Sequence, residues 1–410
     1  MDDLLGYAAL ALVSLIILII ALKWPSISNI LFTALILRVF VMLMGHYFIT
    51  LPDSTADSVT FDKTAWSIAE GGFFNLFKSF PDQPAKIISW LIAIPYSLFG
   101  RSMLMAQAIS LFFGMSSIFF GWLLAKKIWN DHIANKVGWT MALFPSLILY
   151  SVLFLREVYV CFFLIVAIFG IVNWFKKNNF ISLVLAAIGF MGITVLHGAM
   201  FVGFLVFITF VGVTVSKIFF KALMHYKINM KILTIFILCI IGFQYFLTSK
   251  IKIPYIGSFE NFTSPGLLMR QTSTSNTGEA AWPEWTKINS NIEIIYKTPI
   301  RMLYFIFSPF PWDVKKASHL IGMLDGLLYM YLFFLILINL KVIWRDPTLR
   351  MVLIILLAYI FVFSFGVGNF GTGIRHRSKL VIMFIFLAAP LIKRFIFLRK
   401  QIRYNKFLDY

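Results

Sequence analysis

The chain has 410 residues, of which 60% are hydrophobic and only 13% are charged, and its formal net charge is +19. This composition excludes a soluble globular protein. Apolar runs of about 17 to 25 residues recur along the chain, which is the length that crosses a hydrocarbon core of about 30 Å. The sequence therefore predicts an all-α fold, a polytopic bundle of transmembrane helices. The two cysteines, Cys161 and Cys239, lie in apolar runs, so we expect neither a disulfide nor a metal site.

Eleven membrane spans are predicted, and they divide the chain into four regions. In chain order the spans lie at 5–22, 29–50, 102–125, 136–152, 157–175, 180–197, 199–218, 232–248, 319–340, 351–369 and 379–395. The regions are an N-terminal transmembrane region (1–248) with a long loop at 51–101, a second long loop (249–318), a C-terminal transmembrane region (319–395) and a basic tail (396–410). The start Met-Asp-Asp lacks the basic region of a signal peptide, so we expect the first span to be retained.

The distribution of Lys and Arg predicts which side of the membrane each loop faces. With the C-terminal tail in the cytoplasm, the cytoplasmic segments hold more than half of the 36 Lys and Arg residues but only three of the 17 acidic residues. Since basic residues mark cytoplasmic loops, the N-terminus and both long loops are predicted to be extracytoplasmic. The same distribution explains the positive charge without a nucleic-acid partner.

Both long loops contain segments that are predicted to lie at the membrane surface. Residues 62–70 favour a helix, and the aromatic residues at 73–80 suit the level of the lipid headgroups. Residues 86–99 are apolar but short for a span and contain Pro95, which predicts a second surface helix or a half-inserted one. In the second loop, the apolar stretch 302–310 is predicted to re-enter the outer leaflet without crossing it.

Two carboxylates, Asp53 and Asp57, directly follow the second span. Their spacing places them on one face if the segment is helical. A carboxylate at this position could act as a general base by accepting the proton of an attacking hydroxyl, and the alternative is a solvated loop.

Three more polar residues lie at predicted outer turns. Arg156 and Glu157 lie between the fourth and fifth spans, and His197 follows the sixth. Each could be an ordinary residue of a helix end, but all three fall on the same side of the membrane as the two carboxylates.

The turn at 368–379, between the last two spans, is strongly basic on the side where basic loops are disfavoured. Three glycines leave its backbone accessible, and Arg375, His376, Arg377 and Lys379 follow within five residues. Forked guanidinium donors and fixed positive charge suit a phosphate or pyrophosphate, so this turn is predicted to bind one.

Two charged residues, Arg38 and Asp325, lie inside predicted spans, where an unpaired charge is costly. We expect each to be paired or to face a water-filled cavity. The sequence does not decide whether they pair with each other.

Taken together, the chain resembles the GT-C class of integral-membrane glycosyltransferases, which includes protein O-mannosyltransferases and aminoarabinose transferases. The resemblance covers about 29–200: the acidic motif after a span, Tyr96-Ser-Leu-Phe-Gly100-Arg-Ser, the spans around Ala142-Leu-Phe-Pro145-Ser, and Leu155-Arg-Glu157. The chain departs from this class in having Asp53-Ser54 where an Asp-Glu pair is common, and in having an extra span before the motif. The final third resembles bacterial surface-polysaccharide polymerases.

The resemblance implies metal-independent, inverting transfer of a sugar from a polyprenyl-phosphate carrier to a glycan or lipid acceptor, without a cofactor, on the outer face of a bacterial inner membrane. It maps the catalytic base to Asp53, with Asp57 next. Arg375, Arg377 and Arg156 would stabilise the departing phosphate, and the further candidates are Glu157, His197, His376 and Arg38.

Two other functions stay open at the level of the sequence. One is a polymerase of O-antigen or capsule type, which would move an oligosaccharide from one lipid pyrophosphate to another. The other is a transporter or flippase of lipid or polysaccharide, in which Arg38 and Asp325 would be substrate or proton sites. The long outer loops and the lack of a visible inverted repeat argue against a transporter.

Overall fold

A computed structural model describes residues 2–81, 84–177, 179–224 and 278–393, together with scattered positions between 225 and 277. The described residues fold into α-helices joined by short turns, and no β-strand occurs among them. An isolated antiparallel bridge pairs Ala281 with Asn369. Of the described helices, 7 are long and apolar enough to cross a membrane. The chain is thus an all-α membrane protein, as its composition predicts.

The helices are numbered here in chain order over the described residues. The part before residue 225 contains α1 (Asp2–Lys23), α2 (Pro25–Tyr47), α3 (Asp57–Ala69), α4 (Phe73–Leu76), α5 (Pro84–Phe99), α6 (Met103–Ile128), α7 (Asp131–Leu143), α8 (Pro145–Val152), α9 (Arg156–Lys177), α10 (Phe180–Leu196) and α11 (Phe201–Met224). The C-terminal part contains α12 (Asn291–Phe307), α13 (Ala317–Arg345), α14 (Pro347–Gly366), α15 (Phe370–Ser378) and α16 (Val381–Ala388).

Helices of sufficient length cover seven of the predicted spans, namely α1, α2, α6, α9, α11, α13 and α14. The span predicted at 180–197 is the shorter apolar helix α10, and the one predicted at 379–395 contains only α16 and a turn at Ala389–Leu391. The predicted span at 232–248 and the first part of the second long loop, apart from scattered positions, lie outside the described residues, as does the tail at 396–410. The total of eleven spans stays a prediction.

The span predicted at 136–152 is interrupted, because α7 ends at Leu143 and α8 begins at Pro145. Proline has no N–H group, so it cannot bond the carbonyl of Met141 four residues earlier. Arg38 of α2 replaces that bond: its Nη2 donates to the Met141 carbonyl at 3.1 Å and its Nη1 to the Ala142 carbonyl at 2.8 Å. The buried arginine therefore stabilises the break that gives α8 its own direction.

The first long loop forms helices close to the predicted positions, and their depth in the membrane stays a prediction. The helix predicted at 62–70 lies within α3 and its C-terminal cap, and the one predicted at 86–99 lies within α5. Asp62 on α3 accepts hydrogen bonds from the Tyr96 hydroxyl at 2.6 Å and from Arg101 Nη2 at 2.6 Å, which ties α3 to α5 and to the start of α6. Between them, α4 exposes the ring of Phe74.

In the second long loop, the apolar stretch 302–310 belongs largely to α12. This helix is capped by Ser290 and is anchored to the end of α14 by Arg301, which is fully buried. Arg301 donates to the carbonyls of Ser364 at 2.7 Å and Val367 at 2.6 Å, and these groups lack helical partners because α14 ends there. The depth of α12 in the membrane stays a prediction.

Helices α9 and α10 pack antiparallel with their backbones in close contact. A Cβ atom added to Gly170 would lie 2.4 Å from the backbone nitrogen of Ala186, and one added to Gly189 would lie 2.5 Å from that of Ala167. Small residues allow such an approach between membrane helices. This packing fixes the start of α9 beside the end of α10, where three of the candidate site residues lie, namely Arg156, Glu157 and His197.

Candidate functional site

One end of the helical bundle gathers polar side chains from widely separated parts of the chain. They come from the segment before and at the start of α3, the end of α8, the start of α9, the turn after α10, and α15. We call this group the charged cluster. Its members are Asp53, Asp57, Tyr150, Arg156, Glu157, His197, Arg375, His376 and Lys379.

Asp53 combines an unusual backbone with a hydrogen-bonded carboxylate. Its φ is +61°, the only positive φ of a non-glycine residue among the described residues. Aspartate tolerates this region better than most residues, and backbone strain of this kind clusters at functional sites. Tyr150 donates its hydroxyl hydrogen to Asp53 Oδ2 at 2.9 Å. Burial raises the pKa of Asp53, although the Tyr150 hydrogen bond and the charge of Arg375 oppose the shift.

Arg375 joins two carboxylates that are far apart in the sequence. Its Nη1 lies 2.5 Å from Asp57 Oδ2, and its Nε lies 2.8 Å from Glu157 Oε1. The Glu157 side chain is 1% exposed, whereas that of Asp57 is 47% exposed. The buried Nη2 of Arg375 has no hydrogen-bond partner among the described residues. The guanidinium group therefore has one side fixed by two carboxylates and one buried donor without a partner among the described residues.

Lys379 and two histidines extend this network into the protein. Lys379 is fully buried, and its Nζ lies 3.3 Å from Glu157 Oε1, which also accepts from Arg375. The same Nζ lies 2.7 Å from Nδ1 of His376. An ammonium group only donates, so Nδ1 accepts and the proton of a neutral imidazole sits on Nε2. The ring centroid of His197 lies 5.1 Å from that of His376.

Arg156 supplies a second guanidinium group beside Glu157. It lies over the ring of Phe61 with its Cζ 5.4 Å from the ring centroid, and its Nη1 donates to the Leu196 carbonyl at 3.5 Å. Its Nε is buried and has no partner among the described residues. In the cluster as a whole, three carboxyl groups face three basic side chains, so their formal charges balance. These groups are Asp53, Asp57 and Glu157 against Arg156, Arg375 and Lys379.

Arg377 does not join the charged cluster, so its assignment as a phosphate ligand needs correction. It is 1% exposed, and its Nε and Nη2 donate to Asp325 Oδ2 at 3.1 and 2.8 Å. Its other N–H groups donate to the carbonyls of Ile306 at 2.9 Å, Ser308 at 2.6 Å and Gly322 at 3.2 Å. All five donors of this guanidinium group are thereby used. The cause is the helix: residues two positions apart on α15 point to different faces.

Arg38 lies beneath the charged cluster and is paired inside the protein, as we expect for a charge within a span. Its partners are the carbonyls at the end of α7 and the Ser151 hydroxyl, whose oxygen accepts from Nε at 3.0 Å. A cavity of about 20 Å³ lies between Arg38, Tyr150, Ser151 and Glu157. That volume holds about one water molecule. Arg38 therefore holds the end of α7 and Ser151 of α8 next to the charged cluster, and it takes no part in the network of ion pairs.

Comparisons of the chain with protein-family models, with curated proteins and with solved structures found no match. A function therefore has to be inferred from the charged cluster itself. The cluster places a partly buried carboxylate near guanidinium groups that keep unpaired donors. This combination suits attack by a hydroxyl group on a centre whose leaving group is an anion.

Two members of the cluster were missed by sequence reasoning. The sequence singles out Lys379 only as part of a basic turn, yet this residue follows Arg375 by four positions, a spacing that favours a shared partner on one helix face. The partner is Glu157. Tyr150 gave no signal, because its contact with Asp53 joins residues 97 positions apart and depends on the break at the start of α8.

Proposed function

We propose that the protein is a membrane glycosyltransferase, which transfers a sugar from a polyprenyl-phosphate carrier to an acceptor hydroxyl on the extracytoplasmic face of a bacterial inner membrane. The observation that carries the proposal is the contact between the acidic segment after α2 and the basic helix α15, where Arg375 binds Asp57 close to Asp53. In the GT-C class that the sequence resembles, an acidic residue after a span is the base.

The position of the basic helix ends supports the proposed orientation. Lys127 lies in the last turn of α6 and Lys176 in the last turn of α9, and Lys176 Nζ donates to the carbonyl of Lys127. Because the charged cluster includes the start of α9, these lysines lie at the opposite end of that helix. Lysines mark the cytoplasmic side, so the cluster would face the other side.

Asp53 suits the role of the base better than Asp57. Asp57 is half exposed and is already bound to Arg375, whereas Asp53 is partly buried and burial raises its pKa. In the proposed step, Asp53 accepts the proton of the acceptor hydroxyl. At the same time, the oxygen of that hydroxyl forms a bond to the anomeric carbon of the sugar. The bond from this carbon to the phosphate oxygen breaks, and the phosphate leaves with the electron pair. A single displacement inverts the anomeric configuration.

Arg375 and Arg156 would stabilise the phosphate as its negative charge develops. Each keeps a buried donor that has no partner among the described residues, Nη2 of Arg375 and Nε of Arg156. Donors that are held in place before the reaction stabilise a transition state without reorganisation. Loss of one such donor typically lowers kcat by about 100- to 1,000-fold.

The transporter alternative depends on Arg38 and Asp325, and the contacts of both residues weaken it. Arg38 donates to carbonyls at a helix break, and Asp325 is paired with Arg377. Neither arrangement leaves a free charge to carry a substrate or a proton. The polymerase alternative would use the same cluster, so the product of the reaction has to distinguish it.

The test is a transfer assay with purified protein in liposomes. Polyprenyl phosphates that carry single sugars and polyprenyl pyrophosphates that carry oligosaccharides are supplied, and the products are analysed by mass spectrometry. We expect single-sugar transfer that is lost in Asp53→Asn. The matched control is Glu284→Gln, because Glu284 is 80% exposed on the second loop. A ladder of products would identify a polymerase, and folded protein that is inactive with every donor would contradict the proposal.

A further inference from the structure

The hydrogen bond between Tyr150 and Asp53 has a role that depends on its geometry. Tyr150 is 3% exposed, so its ring is fixed by packing on α8. Its hydroxyl donates to Asp53 Oδ2 at 2.9 Å, and no other described residue bonds to that carboxylate. One carboxylate oxygen is therefore held by the protein and the other is left to react.

The backbone at Asp53 makes this contact necessary. A residue with a φ of +61° lies in a narrow and strained region, and the side chain of an aspartate in a loop can rotate about two bonds. Asp53 lies in the segment between α2 and α3, outside both helices. Without the hydroxyl of Tyr150, rotation of the side chain would move both oxygens.

We propose that Tyr150 is a positioning residue, which holds Oδ2 of Asp53 so that Oδ1 of the same carboxylate meets the acceptor hydroxyl. The inference rests on the proposed function in assigning the base to Asp53. Tyr150 would not touch the sugar or the phosphate. It would act by fixing the direction from which the proton is taken, and a small misplacement of a reacting group is costly in rate.

The hydrogen bond also affects the proton affinity of the base. Tyr150 donates to the ionised form of Asp53, so its loss favours the protonated form, as burial already does. The other charges that act on this carboxylate are Arg375, which favours ionisation, and Glu157 and Asp57, which oppose it. None of these is changed by Tyr150→Phe. The variant is therefore expected to move the acid limb of kcat/KM upward by about one pH unit.

The experiment compares Tyr150→Phe with Tyr96→Phe. Tyr96 is a matched control, because it is 1% exposed and its hydroxyl donates to Asp62 Oδ1 at 2.6 Å, outside the charged cluster. Each variant loses a hydroxyl from a buried Tyr–Asp pair. We expect kcat to fall about 10- to 100-fold in Tyr150→Phe with the KM of the sugar donor unchanged, and Tyr96→Phe to keep the wild-type pH profile.

A second measurement does not need the reaction. The carbonyl stretch of the protonated Asp53 carboxyl is followed by infrared difference spectroscopy during acid titration and is identified by its loss in Asp53→Asn. The titration midpoint is expected to rise in Tyr150→Phe and to stay unchanged in Tyr96→Phe.

The outcomes separate the two proposals. An active Asp53→Asn variant would contradict the assignment of the base in the proposed function. An inactive Asp53→Asn variant, together with Tyr150→Phe that keeps the wild-type kcat, pH profile and infrared midpoint, would contradict the positioning role alone. If no transfer activity were found, an infrared titration midpoint that is unchanged in Tyr150→Phe would still overturn the positioning role of Tyr150.

Discussion

The buried ion pair of Arg377 and Asp325 allows a quantitative test of the distinction between the two arginines of α15. Asp325 is 3% exposed and accepts from both Nε and Nη2 of Arg377. Replacing Asp325 with leucine leaves a buried guanidinium group without its counterion. Breaking a buried pair in this way costs about 3–5 kcal/mol of folding free energy.

Replacing Arg377 with leucine should cost more. It leaves the Asp325 charge buried and also removes the donors to the carbonyls of Ile306, Ser308 and Gly322. Each buried carbonyl left unpaired adds about 1–3 kcal/mol. In the double variant both charges are gone, so its cost should fall short of the sum of the single variants by about 3 kcal/mol or more.

The assay is unfolding in detergent, followed by tryptophan fluorescence and by size-exclusion chromatography, with the coupling free energy taken from the double-mutant cycle. The control cycle uses Lys287 and Glu284, which form an exposed pair at 2.6 Å. Its coupling should not exceed about 1 kcal/mol. A coupling between Arg377 and Asp325 as small as that of the control would refute the structural role of Arg377. It would return Arg377 to the set of candidate phosphate ligands.

Two further outcomes are expected from the packing and from the raised pKa of Asp53. Gly170→Leu forces a side chain into the backbone of α10, so the unfolding midpoint should drop by the equivalent of about 1–3 kcal/mol or more. The control is Gly212→Leu, which should leave the midpoint unchanged because no atom lies within 4 Å of a Cβ added at Gly212. Burial raises the pKa of Asp53, so the folded protein holds this proton more tightly than the unfolded chain, and stability is lost as the pH rises from the ordinary pKa of 3.8 through the raised value. Asp53→Asn cannot ionise, so the difference between its unfolding midpoint and that of the wild type should change in favour of the variant between pH 4 and pH 7. A difference that stays constant over this range would contradict the raised pKa of Asp53.

The large-scale arrangement could be predicted from the sequence because it follows from hydropathy and charge. The long apolar runs correspond to helices such as α1, α2 and α6, and the helices α3 and α5 lie close to where their residues predict them. Placing Asp53 and Arg375 on one side needed only the distribution of lysines and arginines. The structure goes further and brings the two into the same cluster.

The finer geometry could not be predicted, because it depends on contacts between distant segments. The sequence predicts a glycine-containing turn at 368–379, yet this segment contains α15, whose N-cap Asn369 accepts from the Thr372 N–H at 2.8 Å. An Asn before a helix is a recognised start signal, so this element left a trace in the sequence. The sequence does not indicate which face of α15 meets which carboxylate, because Arg375 and Arg377 have partners 52 to 318 positions away.

The charge balance of the cluster changes how a phosphate would bind. The basic turn suggested free positive charge, but Arg375 is already bound to Asp57 and Glu157, and Lys379 to Glu157. The pair with Asp57 is the weaker one, since that carboxylate is 47% exposed and ion pairs near water contribute about 0–1 kcal/mol. Glu157 is 1% exposed and serves two cations, so its removal from Arg375 would be costly. Under the proposed function, a donor phosphate would therefore displace Asp57 from Arg375 and leave Glu157 in place, so that the guanidinium group keeps its orientation beside Asp53.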